Sequence, residues 1–312
     1  MHPDTQTHSA PSVEPDKNWR IWWMLMRPHT LTAAFIPVAI GTVMAMKEGS
    51  FNVWLFAAML AASVLIQAAT NMFNEYFDYK RGLDNENSVG IGGAIVRNGV
   101  KPKTVLTLAF IFFGISTLLG VYICLESSWW IAVIGTLCMI AGYLYTGGPL
   151  PIAYTPFGEL TAGLFMGVVI ILISFYIQTG TVSMNAFLIS LPVSLLVGAI
   201  LLSNNIRDLD GDKENGRKTL AILMGRKKAI DFLAIIFICS YIFIIAFILA
   251  GTASLWSLLV FLSVPKSVFA VKAFRGKSRP IEMMPAMVAT AQTNTQFGLL
   301  LAAGLLISYL VS

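Results

Sequence analysis

Long apolar runs recur along the whole of this 312-residue chain. Each run has about 17–25 residues, the length with which an α-helix crosses the hydrocarbon core of a bilayer. Charged residues make up only 12% of the chain, whereas a soluble domain has about 25%. The pattern therefore predicts an all-α integral membrane protein. We interpret nine runs as transmembrane helices, at 24–46, 53–77, 104–124, 129–146, 159–178, 186–206, 229–250, 253–271 and 287–311.

The polar ends and loops of the chain predict its orientation. Residues 1–18 are polar and contain proline, so we expect a disordered cytoplasmic tail before a single transmembrane domain over 19–312. With the N-terminus inside, all but one of the 21 Lys and Arg residues lie in inner segments, and Lys47 lies outside. The positive-inside rule then predicts a multi-pass protein of the cell membrane, with the C-terminus outside. The net charge of +5 reflects this topology and anionic lipid, and it offers no argument for nucleic acid.

Two charged clusters follow apolar helices. The first is "NEYFDYKRGLDNEN", from Asn74, and the second is "NNIRDLDGDKENGRK", from Asn204. Asn74 and Asp78 are four residues apart, as are Asn204 and Asp208, and on a helix this spacing places side chains on one face. Because the second cluster comes four helices after the first, we predict two parallel four-helix repeats plus one added helix. The repeats would surround a central cavity open to the cytoplasm, with the clusters facing each other across it.

Such an arrangement of acids favours a metal site. Closely packed carboxylates repel one another unless a cation neutralises them. Hard oxygen ligands suit Mg²⁺, which takes further ligands from substrate phosphates. Basic residues beside the clusters are candidates to hold the outer phosphate oxygens; they are Lys80, Arg81, Arg97, Arg207, Arg217 and Lys218. We therefore predict a metal–diphosphate site above an apolar cavity, for a substrate with a diphosphate head and a long apolar tail. A merely solvated pair of loops is the alternative.

The spacing of the acids also resembles a known pattern. Asn-x-x-x-Asp-x-x-x-x-x-Asp (Asn74, Asp78, Asp84) and Asn-x-x-x-Asp-x-x-x-Asp (Asn204, Asp208, Asp212) are similar to the two Asp-rich motifs of the UbiA superfamily of intramembrane prenyltransferases. Five residues between the first two aspartates, together with "RPHTLTAAFIPV", "YTGGP" and "NNIRD", resemble the menaquinone branch, the 1,4-dihydroxy-2-naphthoate polyprenyltransferases (MenA type). The Tyr-x-x-x-Lys of other branches is missing, because Gly148 and Pro149 follow Tyr145-Thr146-Gly147.

This resemblance implies a Mg²⁺-dependent enzyme. It would transfer a polyprenyl group from polyprenyl diphosphate to 1,4-dihydroxy-2-naphthoate with loss of CO₂, giving demethylmenaquinone. The resemblance assigns the metal to Asp78, Asp84, Asp208 and Asp212, and it assigns Asn74 and Asn204 to the metal or a phosphate.

Two further residues are candidates for substrate contacts. Tyr145 is a candidate to shield an allylic cation with its ring, and the alternative is a place in the interfacial aromatic belt. Arg97 is a candidate partner for the acceptor carboxylate, and the alternative is a positive-inside patch of Lys and Arg.

Two other functions compete with this interpretation. A transporter is the first, but transporters carry charge and broken helices near the bilayer midplane, whereas these acids stand at helix ends. A prenyltransferase for another aromatic acceptor is the second, with 4-hydroxybenzoate, homogentisate or protohaem in place of the naphthoate. Only the resemblance in motif spacing argues against that second reading.

Overall fold

The computed structural model describes residues 19–83 and 93–311. Within these ranges the chain consists of helices and connecting segments, with no β-strand. The predicted tail at 1–18 and the predicted metal ligand Asp84 lie outside the described residues. The α-helices are α1 (Trp19–Leu25), α2 (Pro28–Lys47), α3 (Val53–Lys80), α4 (Pro102–Glu126), α5 (Trp130–Thr146), α6 (Gly158–Ala162), α7 (Ile170–Thr179), α8 (Met184–Glu214), α9 (Leu220–Met224), α10 (Arg226–Leu249), α11 (Val264–Phe274) and α12 (Pro280–Leu310). A π-helical segment, Gly163–Val169, joins α6 to α7, and 3-10 segments cover Ile152–Tyr154 and Leu255–Ser263.

Eight helical segments in the described ranges are long and apolar enough to cross a membrane. They are α2, α3, α4, the continuous α6–π–α7 segment, α8, α10, the 3-10 segment with α11, and α12. The eight spans confirm a multi-pass membrane protein. α5, predicted as a ninth span, is apolar but has only 17 residues, or about 26 Å of helix against a hydrocarbon core of about 30 Å. The exposed Trp129 and Trp130 at its start are typical of a membrane interface.

Helix packing relates the two predicted repeats. The second and third helices of each repeat are neighbours, because α3 packs on α4 and α8 packs on α10. α12, the helix beyond the repeats, contacts α2, α8 and α11 and so joins the two halves of the bundle. α2 and α7 approach so closely that a Cβ on Gly41 would lie 2.4 Å from the carbonyl oxygen of Ile171. Glycine at this position therefore permits a backbone contact between the first helices of the two repeats.

Polar contacts establish which helix ends share a face of the bundle. At the end of α2, Lys47 donates a hydrogen bond of 3.4 Å to the hydroxyl of Ser308, near the end of α12. The backbone of Asn52, before α3, exchanges hydrogen bonds of 2.6 and 3.1 Å with the side-chain amide of Gln178, near the end of α7. The described residues of the two charged clusters lie at the opposite ends of their helices, on the other face of the bundle.

α3 and α8 extend further than the apolar pattern predicts. α3 ends at Lys80 and α8 at Glu214, whereas the predicted ends are 77 and 206. The described acids of both motifs therefore lie on the last turns of helices. Backbone hydrogen bonds of a helix do not require apolar side chains, so these helices continue past their apolar residues until a cap ends them.

The two caps have the same geometry. Each helix is followed by a glycine in the left-handed conformation, Gly82 at φ 71° and Gly216 at φ 76°. The next residue donates its N–H over 2.9 Å to the carbonyl of Asp78 in the first cap and of Asp212 in the second. Asp78 and Asp212 therefore occupy equivalent positions at the ends of α3 and α8.

Candidate active site

Two aspartates from different halves of the protein meet at one guanidinium. Arg217 donates hydrogen bonds of 3.0 Å to Asp78 and of 3.0 Å to Asp212. Its position follows from the cap of α8, which turns the chain back so that Arg217 returns toward the helix end. Burial alone would lower the pKa of Arg217, but the carboxylates of Asp212 and Asp78 raise it above its usual value. The predicted meeting of the two clusters is thus present for one acid of each.

Tyr154 supports this arginine and was not among the sequence-predicted residues. The guanidinium of Arg217 lies 4.6 Å from the centroid of the Tyr154 ring, and that of Arg81 lies 5.3 Å from it. A ring in contact with two guanidinium groups stabilises both through cation–π attraction. In the sequence, Tyr154 lies a few residues after "YTGGP". No spacing in that segment relates Tyr154 to the acids, so the sequence alone does not predict this contact.

Arg81 joins the end of α3 to the end of α5. It donates hydrogen bonds to the carbonyl oxygens of Thr146 and, at 2.9 Å, of Gly148. Two backbone carbonyls of the "YTGGP" segment therefore occupy much of its donor capacity. The hydroxyl of Thr146 in turn donates over 2.7 Å to the side-chain oxygen of Asn74. These contacts connect the predicted branch-specific segment directly to the first motif.

The structure places Asp208 apart from the Arg217 cluster. Arg207 binds it with two hydrogen bonds, of 2.7 and 2.6 Å, and donates a third to the sulfur of Met287. The side chain of Arg207 is 9% exposed, whereas that of Asp208 is 39% exposed. Asp208 therefore reaches the aqueous end of the site, with its charge already balanced by a buried arginine.

The other predicted basic residues differ in position. Lys80 and Lys218 have exposed side chains at the ends of α3 and of the loop after α8. Arg97 lies in a turn after the segment that is not described, and its guanidinium packs over Gly93, where an added Cβ would lie 2.2 Å from its Nε.

Glu75 fixes that turn and was also missed by the sequence analysis. Its buried carboxylate accepts hydrogen bonds from the backbone N–H groups of Gly93, at 2.9 and 3.1 Å, and Ile95, at 3.2 Å. The turn that begins at Gly93 is thereby held at the end of α3.

A cavity of about 330 Å³ extends from the motifs into the bundle. Asn74, Asn204 and Tyr145 line it at the motif end, and its lining along α3 reaches Met59, about 22 Å away along the helix axis. The other walls are mostly apolar, and they include Phe165 of the π-helical segment. Such a cavity is suited to a long apolar chain whose polar head stays at the motif end.

The donors at the motif end are suitable for a hard cation. Asp78 and Asp212 converge on one point, and the second carboxylate oxygen of Asp212 is buried without a hydrogen-bond partner among the described residues. Carboxylate oxygens with free lone pairs are the ligands that Mg²⁺ prefers. Within residues 19–83 and 93–311, however, no group of three His, Cys, Asp or Glu side chains is close enough to hold a metal without further ligands. The residues therefore fit a metal that is completed by phosphate or by residues outside these ranges.

Comparison with known proteins decides the family. The sequence model described as the UbiA prenyltransferase family matches residues 34–281, which include both motifs and the cavity helices. The chain belongs to the UbiA prenyltransferase family. This confirms the family that the motifs predicted.

UbiA relatives agree over nearly the whole chain. The chain is 60% identical over 290 residues to the 1,4-dihydroxy-2-naphthoate octaprenyltransferase of Bacillus subtilis, covering 93% of each sequence. It is 28% identical to the Escherichia coli protein of the same name, covering 92% of this chain and 95% of that one. A resemblance to the menaquinone branch is therefore present well beyond the short motifs.

Solved UbiA structures share the fold. A UbiA homologue from Aeropyrum pernix superposes with a TM-score of 0.68 at 16% identity, covering 91% of this chain and 98% of that one. A homologue from Archaeoglobus fulgidus, in a structure bound to DMAPP and Mg²⁺, superposes with a TM-score of 0.63 at 14% identity, covering 90% and 98%. At these identities the likeness establishes the arrangement of helices.

Proposed function

We propose that this UbiA protein transfers a polyprenyl group from polyprenyl diphosphate to 1,4-dihydroxy-2-naphthoate, with loss of CO₂, to give demethylmenaquinone. The observation that carries this proposal is the convergence of Asp78 and Asp212 on one point. Asp78 lies one turn of α3 beyond Asn74, which lines the polar end of an apolar cavity. The 60% identity to the Bacillus subtilis enzyme supports the naphthoate as acceptor. The Archaeoglobus fulgidus structure with DMAPP and Mg²⁺ supports a prenyl diphosphate as donor.

The polar end of the cavity would hold the metal and the diphosphate. Asp78, Asp84, Asp208 and Asp212 would carry Mg²⁺, with Asn74 and Asn204 beside them at the cavity wall. Bound Mg²⁺ would stabilise the negative charge that develops on the departing diphosphate. Arg217 binds one acid of each motif, Asp78 and Asp212, and is the strongest candidate for the outer phosphate oxygens. The other candidates are Lys80, Arg81, Arg97, Arg207 and Lys218.

The remaining walls would protect the reaction. Allylic C–O cleavage leaves a carbon cation that water would quench, so the reacting carbon must lie in a dry space. The apolar walls of the cavity exclude water, and Tyr145 stands at the level of Asn74 and Asn204, where the cation would form. Its ring would face the cation, while the acceptor ring attacks from the same space.

The orientation in the membrane belongs to the same proposal. We place the N-terminus, both motifs and the diphosphate site on the cytoplasmic side of the cell membrane, because all but one of the 21 Lys and Arg residues lie there. α5 would be the ninth span, since α4 and α6 otherwise could not both cross the membrane in the required direction. Its short length is compensated by a thinner local bilayer or by the Trp residues at its start.

Turnover by the purified protein tests the function. With Mg²⁺ and an all-trans polyprenyl diphosphate, the protein should prenylate 1,4-dihydroxy-2-naphthoate and release CO₂. It should use 4-hydroxybenzoate at least about tenfold less well, because one ring would leave unfilled space in a site that binds two. Removal of divalent ions with EDTA should abolish turnover. Equal use of both acceptors, or activity without divalent ions, would contradict the proposal, and uptake of substrate into proteoliposomes without product would indicate a transporter.

A further inference from the structure

Arg27 has an unusual backbone conformation at the junction of α1 and α2. Within the described ranges it is the one non-glycine residue with a positive φ, at φ 52° and ψ 66°. An arginine in the left-handed region is strained, and such strain persists where the surroundings hold the residue for a purpose. Neither the metal ligands nor the diphosphate contacts proposed above account for it.

A buried polar network holds this conformation. The side-chain amide of Asn71 donates over 2.8 Å to the carbonyl of Met26 and over 2.9 Å to the hydroxyl of Thr30. Thr30 donates its own N–H over 2.8 Å to the carbonyl of Arg27. Asn71 is 3% exposed, so these hydrogen bonds are protected from water. The backbone on both sides of Arg27 is therefore fixed by α3 and by the first turn of α2.

The side chain of Arg27 is directed into the cavity. It lines the motif end together with Thr30, Gln67, Asn71 and Asn74, and these side chains form a polar patch in walls that are otherwise mostly apolar. Its Nε is buried and has no hydrogen-bond partner among the described residues. Arg27 is also near enough to Asp78 for their charges to interact. A cation whose side chain is 23% exposed thus stands beside the place where the reacting groups would meet.

Glu75 does not occupy the hydrogen-bond donors of Arg27. The nearest oxygen of Glu75 lies 3.9 Å from a terminal nitrogen of Arg27, which is too far for a hydrogen bond. The Glu75 carboxylate already accepts the N–H groups of Gly93 and Ile95. It balances the charge of Arg27 at a distance while leaving the guanidinium donors for another partner.

We propose that Arg27 binds the carboxylate of an acidic aromatic acceptor, and that Asn71 positions it for this role. A guanidinium and a carboxylate form two parallel hydrogen bonds in one plane. The side-chain amides of Gln67 and Asn74 line the same polar patch and can form hydrogen bonds with ring hydroxyls. Arg97, the other candidate, packs over Gly93 and is not among the cavity residues in the described part of the chain. The inference rests on the proposed function, because it presumes an acidic acceptor in this cavity.

Binding without turnover tests the assignment. The probes are 1-hydroxy-2-naphthoate and its neutral carboxamide, measured by calorimetry on the purified full-length protein without prenyl donor. The wild type should prefer the carboxylate by roughly tenfold or more, the usual worth of a hydrogen bond to a charged group. Arg27→Asn should bring the two affinities together, while Arg27→Lys should retain part of the preference. Arg20→Asn, which removes an exposed arginine of α1, is the matched control and should leave the preference unchanged.

The experiment distinguishes a misfolded variant from one that has lost the carboxylate contact, and failure of this inference from failure of the proposed function. Asn tolerates the left-handed conformation, so Arg27→Asn should keep the wild-type melting temperature, and Arg27→Gly provides a second neutral variant without backbone strain. A preference that survives in both variants would overturn the role of Arg27 and leave the proposed function standing. A wild type that binds both probes equally would overturn it too. A wild type that binds neither probe, and does not prenylate the naphthoate, would overturn the proposed function itself.

Discussion

Arg217 donates a hydrogen bond of 3.0 Å to Asp78, which lies 139 residues earlier in the chain. A second hydrogen bond of the same length joins Arg217 to Asp212, its near neighbour at the end of α8. One guanidinium therefore bridges an acid from each predicted repeat and balances one of their two negative charges. All three side chains are largely buried, with exposed fractions of 14% for Arg217, 19% for Asp78 and 11% for Asp212. Charges in such surroundings must be balanced by the protein or by a ligand.

Replacement of Arg217 should therefore destabilise the metal-free protein. In Arg217→Gln, Asp78 and Asp212 would face each other without a cation, at a cost of about 3 kcal/mol, or roughly 5–10 °C in melting temperature. Mg²⁺ should recover much of this loss, because it neutralises the same carboxylates. Thermal unfolding in EDTA and in Mg²⁺ measures both effects. Lys218→Gln, at the exposed neighbouring position, is the control; equal melting temperatures of Arg217→Gln and wild type in EDTA would contradict the prediction.

Part of this arrangement follows from the sequence. A bilayer imposes the length and composition of each spanning helix, so the apolar runs predict the spans well. Of the nine predicted runs, α5 alone is too short to count among the spans in the described ranges. The four-residue spacing of Asn74 and Asp78 predicts a shared helix face, and both do lie on α3. Such local features can be predicted from the sequence because each depends on a single helix.

The pairing of acids across the site does not follow from motif order. The shared Asn-x-x-x-Asp pattern equates Asp78 with Asp208, whereas the glycine caps place Asp212 at the position equivalent to Asp78. The distance of a residue from the helix end, and its rotation there, decide where its side chain points. Glu75 and Tyr154 were missed for a related reason: their partners come from distant segments, and no spacing in the sequence relates them.

The motif acids should be required for turnover. Asp78→Asn, Asp84→Asn, Asp208→Asn and Asp212→Asn should each reduce turnover at least about a hundredfold, because each removes charge that would hold the metal. Asp210→Asn is a matched control from the same stretch of α8, since Asp210 is exposed and pairs with Arg226 away from the cavity. It should retain near-normal turnover. Turnover in membranes, corrected for the amount of inserted protein, makes the comparison; near-normal rates in two of the four motif variants would contradict the metal assignment.

Tyr154 should act through its ring. Its face lies against both Arg217 and Arg81, and loss of a buried cation–π contact costs about 1–2 kcal/mol, or roughly a five- to thirtyfold change. Tyr154→Leu should therefore raise the KM for the prenyl diphosphate by about that factor, while Tyr154→Phe should stay close to wild type. The KM for the naphthoate should change less in both variants. A Tyr154→Phe protein as impaired as Tyr154→Leu would contradict a role for the ring face.

The two faces of the bundle should be separately accessible across the membrane. Asn215 follows α8 beside the motifs, whereas Val182 precedes α8 at the opposite end and is 79% exposed. In a background with Cys124, Cys138 and Cys239 replaced by alanine, an impermeant maleimide should label Val182→Cys in intact cells. Asn215→Cys should be labelled only after the membrane is opened, because the basic loops retain it on the cytoplasmic side. The structure places these two positions at opposite ends of α8 but does not say which end faces the cytoplasm. Labelling of Asn215→Cys from outside would therefore mean that the orientation is the reverse of the one proposed and that the diphosphate site lies on the outer face.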